Sequence, residues 1–327
     1  MKTSFLPKLV NGQTGDPALF VDILREKRAL LFDCGRIDGL SASELLRITD
    51  VFISHTHIDH FIGFDHLLRL HLGRGRKIRI FGPKGITTCV RGKLSGYTWN
   101  LVQHQRMLFE VHEFDGFNSV ITEFPCKKKF KAGKIRKMRI QDWLWRDHLI
   151  RVKATVLDHK IPCLAYTVEE RDFYNVDPVK LRALGHRPGP WLNRLKAWAR
   201  SDSPAYDQIE VDGVFLDAGD LAKQLLIHRP AKRIGYVADS GPSPENQQAI
   251  VDLVHGADLL FCEGAFLDED SQRAHDTFHL TARLAGRLAK RAGVKRLVTF
   301  HYSPKYDGRF SQLDEEASRA FEGQDNT

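Results

Sequence analysis

The chain has 327 residues, 42% hydrophobic and 28% charged, a balance that excludes a largely disordered protein and allows a sizeable core in one domain or two. Its 49 Lys and Arg against 41 Asp and Glu leave a formal charge of +8, which suits a polyanionic partner such as nucleic acid as readily as it suits plain solubility. Five widely spaced cysteines (Cys34, Cys89, Cys126, Cys163, Cys262) without a CxxC pair exclude a disulfide framework and a cysteine zinc knuckle.

In chain order, the opening MKTSFLPKLVNGQTGDPALF is too broken by Pro and Gly for a signal-peptide core. No later run is long and apolar enough to span a bilayer, so a soluble cytoplasmic protein with no membrane partner is expected. The runs ALFVDIL, ALLFDCG, DVFISH, KIRIFG and LIRVKATVLDH, bounded by turn residues, predict strands, and SASELLRI, FDHLLRLHL and the stretch after Pro83 predict helices between them. The stretch KKKFKAGKIRKMR from Lys127 is either a solvated hairpin or a patch for RNA phosphates. From Glu170 to Gly235 the chain turns rich in Pro, Arg and Trp and poor in strand signal, which predicts an inserted arm over 171–234 within a single domain spanning 1–327. AKRIGYVADSG, ADLLFCEGA and RLVTFHYSP then predict strands around the amphipathic helix LTARLAGRLAKRAGV. The fold class is α/β.

SHTHIDH carries the chemistry. His55, His57, Asp59 and His60 follow the strand-like DVFI directly, and a loop at a strand end can aim several side chains into one crevice. A lone histidine is more often a satisfied core residue; four ligand-type residues within six positions are hard to explain as packing. A mixed imidazole and carboxylate set without thiolates points to a catalytic metal site, with zinc as the default cofactor and manganese as the alternative. Two metals need further ligands, and His159, Asp239 and His301 each follow a predicted strand.

SHTHIDH resembles the His-x-His-x-Asp-His signature of the metallo-β-lactamase superfamily, and the later residues fall in that family's order from Phe32 to Tyr306. The resemblance implies an αββα sandwich. It also implies that His55, His57 and His159 hold one Zn2+, that Asp59, His60 and His301 hold the other, and that Asp239 bridges them, with Asp33 orienting the ligand loop from beneath. LDHKIPCLAYTVEE, VADSGP and HLTARLAGRLAKRAGVKRLVTFHYSPKY are similar to segments of the ribonuclease Z branch, and VKLRALGHRPGPWLNRLK is similar to its tRNA-gripping exosite. In the arm, Arg182, Arg187, Arg194, Lys196 and Arg200 interleave with Trp191 and Trp198, a mixture suited to phosphate and base contact, or to docking an amphipathic helix.

The implied activity is a two-metal phosphodiesterase and endonuclease that removes the 3′ trailer of precursor tRNA with water activated between the ions, working as a homodimer. Asp59 would orient the nucleophile, His279 would give a proton to the leaving oxygen or hold a phosphate oxygen, and Glu263 would orient His279. The sequence also departs from that branch: its Gly-rich opening with Pro-x-x-x-Arg-Asn has no clear counterpart, CGRIDG stands where Gly-Glu-Gly-Thr-Gln is usual, and CEGA keeps only Glu263 of His-Glu-Ala-Thr. A hydrolase of the same fold acting on a small phosphodiester such as a cyclic nucleotide is the alternative.

Overall fold

The first sheet is laid down in sequence order. Strands β1 (Phe5–Leu9), β2 (Leu19–Ile23), β3 (Arg28–Phe32), β4 (Ile48–Phe52), β5 (Lys77–Pro83), β6 (Leu108–Phe114), β7 (Asn118–Pro125) and β8 (Ile135–Arg139) are neighbours in that order. The computed structural model describes residues 5–24, 26–171, 173–201 and 204–324; residues 1–4 of the opening and Asp172, Asp202 and Ser203 of the arm lie outside the described residues. β3 to β6 run parallel, while β1, β2, β7 and β8 join by antiparallel pairing. Parallel neighbours need crossovers, and the helices Ala42–Leu45, Ile58–Phe61, Phe64–His71 and Ile86–Ser95 fall in those connections.

Strands β9 (Trp145–Arg146), β10 (Ile150–Asp158) and β11 (Pro162–Glu170) are followed by four short strands, β12 (Phe173–Val176), β13 (Gln208–Val211), β14 (Val214–Asp217) and β15 (Leu226–Arg229). Strands β16 (Arg233–Val237), β17 (Leu259–Glu263) and β18 (Leu297–Phe300) complete a second sheet of order β18-β17-β16-β11-β10-β9. The helices Pro244–Val254 and Ala282–Arg291 lie in its parallel connections and pack on it through Ile250, Val254, Ala285 and Leu288. The two sheets meet through aromatic rings. Phe32, Phe52 and Phe81 stack across neighbouring strands at 4.9 and 4.7 Å, and Tyr166 and Tyr236 of the second sheet reach Phe32 at 6.0 and 5.6 Å. Truncating one of these rings to alanine would cost about 3–5 kcal/mol. Helix, sheet, sheet and helix form the layers of an α/β sandwich, and no helix among the described residues is long and apolar enough to cross a membrane.

Charge inside this frame is paired. Asp50, fully buried on β4, takes Arg28 at 2.7 Å and Arg79 at 2.5 Å. Glu110 on β6 accepts from His112 at 3.1 Å and from Lys77 and Arg136 at 3.0 Å. The His112 hydrogen bond, helped by Lys77, outweighs burial and holds the Glu110 carboxyl down to about 2. A depressed carboxyl contributes stability above its unfolded value of about 4.3, and that stability is lost as pH falls through the folded value. Glu110→Gln should therefore cost about 1–2 kcal/mol near neutral pH, after allowance for the half-exposed partners, and progressively less between pH ~4 and ~2. Urea titrations of both proteins across that range measure it; a difference that did not shrink with acid would assign the cost to packing.

Two compact units are present: Met1–Arg146, Arg151–Val168 and Arg233–Thr327 form the first, and Asp147–Ile150 with Glu169–Lys232 the second. In the second, β12 pairs with β15 and β13 with β14, the latter through a two-residue turn with Asp212 and Gly213 both at positive φ (51° and 85°). That is the turn an Asp-Gly pair favours. The strand-poor reading of this segment is thus corrected: four-residue strands are too short to show alternation. Of the two readings of the arm tryptophans, docking of an amphipathic helix fits Trp191. Trp191 is 7% exposed and packs with Leu181, Leu195, Ile209 and Leu221 in a small core of this unit, and Trp198 lies against that core. Arg182, Arg187 and Arg194 are exposed, and Lys196 and Arg200 are partly so.

Candidate metal centre

The residues of the centre leave the ends of strands in both sheets. His55, His57, Asp59 and His60 follow β4, with His57 at the residue just before the short helix Ile58–Phe61 that carries Asp59 and His60. His159 follows β10, Asp239 follows β16 and His301 follows β18. The structure brings them together. One atom from each of His55, His57, His159 and Asp239 lies within 4.8 Å of the others, and so it is for Asp59, His60 and His301, and for Asp239, Glu263, His279 and His301. The Asp239 carboxylate faces both ways: Oδ2 is 3.6 Å from His55 Nε2 and 3.4 Å from His159 Nε2, and Oδ1 is 3.4 Å from His60 Nε2 and 2.9 Å from His301 Nδ1.

Neighbouring hydrogen bonds fix two of the rings, His159 and His60. His159 Nδ1 lies 2.6 Å from the Phe278 carbonyl, which as an acceptor requires the proton on Nδ1 and leaves the Nε2 lone pair toward Asp239. The fully buried Asp33 accepts from the Ser54 N–H at 2.6 Å, the Ser54 hydroxyl at 2.8 Å, the Tyr236 hydroxyl at 2.8 Å and His60 Nδ1 at 2.8 Å. It thereby turns His60 Nε2 inward. Asp33, Lys160, Phe278 and His301 hold positive φ (54°, 60°, 59° and 63°) at or beside the centre, a conformation costing a non-glycine residue of order 1 kcal/mol or more. Ser54, Tyr236 and the Phe278 carbonyl escaped the sequence reading, because nothing local marks a hydroxyl or carbonyl as the partner of a residue far away in the chain. Asp33→Asn should weaken metal affinity about 10- to 100-fold; competition against a chelating dye measures it, and unchanged affinity would deny Asp33 its orienting part.

Charge in the centre is strongly coupled. Burial, helped by the His60 charge, lowers the His55 ring to about 2, and burial with His159 lowers His57. Burial opposes a charge on His60, yet Asp239 and Asp33 hold its pKa well above the usual value. His301 is likewise raised against burial, by Asp239, to about 10. Burial would raise both carboxyls, but His301 and His60 hold Asp239 well below the usual range, and the His301 hydrogen bond with the His60 charge brings Asp59 to about 2.

Four buried atoms in this cluster have no hydrogen-bond partner: His55 Nε2, His60 Nε2, Asp239 Oδ1 and His301 Nδ1, the last two approaching each other without hydrogen-bond alignment. Leaving each dry costs roughly 1–3 kcal/mol. Inward-facing imidazoles and carboxylates, with no thiolate in any of the groups, fit divalent cations of the zinc and manganese type.

At the rim, His279 Nδ1 lies 2.8 Å from Glu263 Oε2, and Glu263, fully buried, accepts the Ser240 N–H on Oε1 at 2.6 Å. The His279 ring is 5.0 Å from His159 and 5.6 Å from His301. Burial disfavours its charge, but Glu263 outweighs burial and raises its pKa.

Residues 219–302 match the family model described as a beta-lactamase superfamily domain. A ribonuclease Z from Deinococcus radiodurans is 32% identical, with 92% of this chain and 91% of that protein aligned. The chain belongs to the ribonuclease Z family of the metallo-β-lactamase superfamily. A second ribonuclease Z, from Limosilactobacillus reuteri, is 30% identical over 88% of this chain and 82% of its own length. Among solved structures, human tRNase Z, short form, shares the fold at a TM-score of 0.51 and 20% identity, covering 92% of this chain and 93% of that one. The His/Asp clusters of this metallo-β-lactamase superfamily protein are those of a metal-dependent hydrolase.

Proposed function

We propose that the chain is a two-metal phosphodiesterase that acts as an endoribonuclease on precursor tRNA, releasing the 3′ trailer. The observation that carries this reading is the His279–Glu263 pair set beside the seven-residue metal cluster: a proton donor next to a cationic centre is what cleavage of a phosphodiester with a poor alkoxide leaving group requires. His55, His57 and His159 would hold one ion, Asp59, His60 and His301 the other, and Asp239 both. Zinc is the default by donor chemistry, with manganese as the alternative. When bound, the ions supply a water of lowered pKa and positive charge facing the phosphate oxygens.

The chain's own groups divide the remaining work. Asp59 spends one carboxylate oxygen on His301 and His60, at 3.3 and 3.4 Å, and keeps the second to orient the attacking water. His279 gives a proton to the departing ribose oxygen from the ring nitrogen not engaged by Glu263, while Glu263 keeps the ring in place. The exposed Arg182, Arg187 and Arg194 of the second unit would grip tRNA phosphates.

The deciding experiment compares cleavage of a precursor tRNA carrying a 3′ trailer with hydrolysis of bis(p-nitrophenyl) phosphate by the metal-loaded protein. Cleavage at the trailer junction supports the reading. Hydrolysis of the small ester, without any cut in the precursor, would replace it with a small-phosphodiester hydrolase.

A further inference from the structure

Beside the helix Ile86–Ser95, lined by none of the residues of the metal centre, lies a pocket of about 660 Å3, within the range of small-ligand sites. Its aromatic wall is Tyr97, Trp99 and Phe130, its cationic rim is Arg91, Lys129 and Lys131, and no lining residue is acidic. Trp99 is fixed by its indole N–H, which donates to the Leu94 carbonyl at 2.7 Å, and by edge contacts with Phe130 at 4.8 Å and Tyr97 at 5.8 Å. Tyr97 is 49% exposed, so an aromatic face is offered to solvent.

The rim is built by an unusual turn. Lys129 and Phe130 both hold positive φ, 56° and 53°, which sends the Phe130 ring into the core while the lysines on either side of it stand exposed. Arg91, Lys129 and Lys131 have no ion-pair partner among the described residues. The chain runs from the rim through the exposed Lys134 into β8, the edge strand of the first sheet, where Lys137 and Arg139 are exposed. Cations on an edge strand guard against unwanted strand pairing and by themselves signal nothing more. Cations around stacked-out aromatic faces are another matter, because that combination is the chemistry that binds single-stranded nucleic acid: rings take bases, and cations take the phosphates between them.

We propose that this pocket is an RNA subsite on the first unit, taking one unstacked nucleotide of a single strand with its base on Tyr97 and Trp99 and its flanking phosphates on Arg91, Lys129 and Lys131. The proposal deepens the ribonuclease reading and rests on it. Position supports it. Cys89, on the same helix, reaches Thr56 of the ligand loop with Sγ 3.4 Å from Oγ1, and Arg91 to Ser95 lie only about 3–9 Å farther along the helix axis at 1.5 Å per residue. The pocket opens toward the end of the helix away from the ligand loop, so a strand held at the metal centre would run along this helix to reach it.

The test uses the full chain with Tyr97→Ala and with the pair Arg91→Glu and Lys131→Glu, all at exposed positions away from the metal cluster. Binding is read by fluorescence anisotropy of a short 2′-O-methyl single-stranded RNA, which resists cleavage. Tyr97→Ala should weaken binding about fivefold or more. The charge reversals should weaken it further and flatten the slope of log affinity against log salt by at least about 1.4, for two lost phosphate contacts. Hydrolysis of bis(p-nitrophenyl) phosphate should be unchanged in both. Affinities within twofold of wild type in both variants would overturn the subsite, as would a wild-type protein that does not bind the strand. If the variants lose strand binding and the wild type fails to cut precursor tRNA, the subsite stands and the substrate assignment falls. If the precursor is cut and both variants bind normally, the subsite alone falls.

Discussion

Asp239→Ala is expected to strip the centre of metal and to abolish hydrolysis of every substrate. Asp239 Oδ2 faces His55 and His159 while Oδ1 faces His60 and His301, so its removal takes one negative ligand from each half of the cluster. It also leaves inward-facing rings with nothing between them. Loss of a residue that merely supports a ligand lowers metal affinity about 10- to 100-fold, and loss of a shared ligand should exceed that. Elemental analysis of the purified variant gives the metal content, and the rate on bis(p-nitrophenyl) phosphate gives the activity. A variant that kept full metal would remove Asp239 from the bridging position.

His279→Ala should do the opposite: metal content stays at the wild-type level while turnover of an RNA substrate falls about 10^2- to 10^4-fold, the range for loss of a general acid. The effect should nearly vanish on an ester whose leaving group is already a stabilised anion, such as p-nitrophenolate, since no proton is then needed. Glu263→Gln keeps the size of the side chain and one acceptor for the Ser240 N–H, so its loss should be smaller than that of His279→Ala and read mainly in kcat. Equal metal loss in the Asp239 and His279 variants would refute this division of labour.

How much of this could be read from the residues alone differs by feature. The ligand loop is legible because four donor residues sit within six positions after a strand, and the strand runs before His159, Asp239 and His301 carry strong apolar patterns. The support beneath them is not legible in the same way. Asp33 and Tyr236 are 203 positions apart, and only the packing of one sheet on the other brings the hydroxyl to the carboxylate. The basic stretch from Lys127 left two readings open, because an edge strand with every residue of β8 exposed shows no alternation of burial to mark it. The tryptophans of the second unit stayed ambiguous for a different reason: composition reports which chemistry a residue can do, and burial decides whether it is free to do it.

The route of the chain through the two sheets also sets the order in which the centre can come into being. Asp59 and His301, neighbours at 3.3 Å, are 242 positions apart. At about 5–20 residues per second of synthesis, a nascent chain would display the first cluster of imidazoles for roughly 12–50 seconds before the last ligand leaves the ribosome. During that interval His55, His57, Asp59 and His60 would be open to divalent ions without their later partners. If metal is taken up during that interval, protein produced with different metals in the growth medium should differ in what it carries.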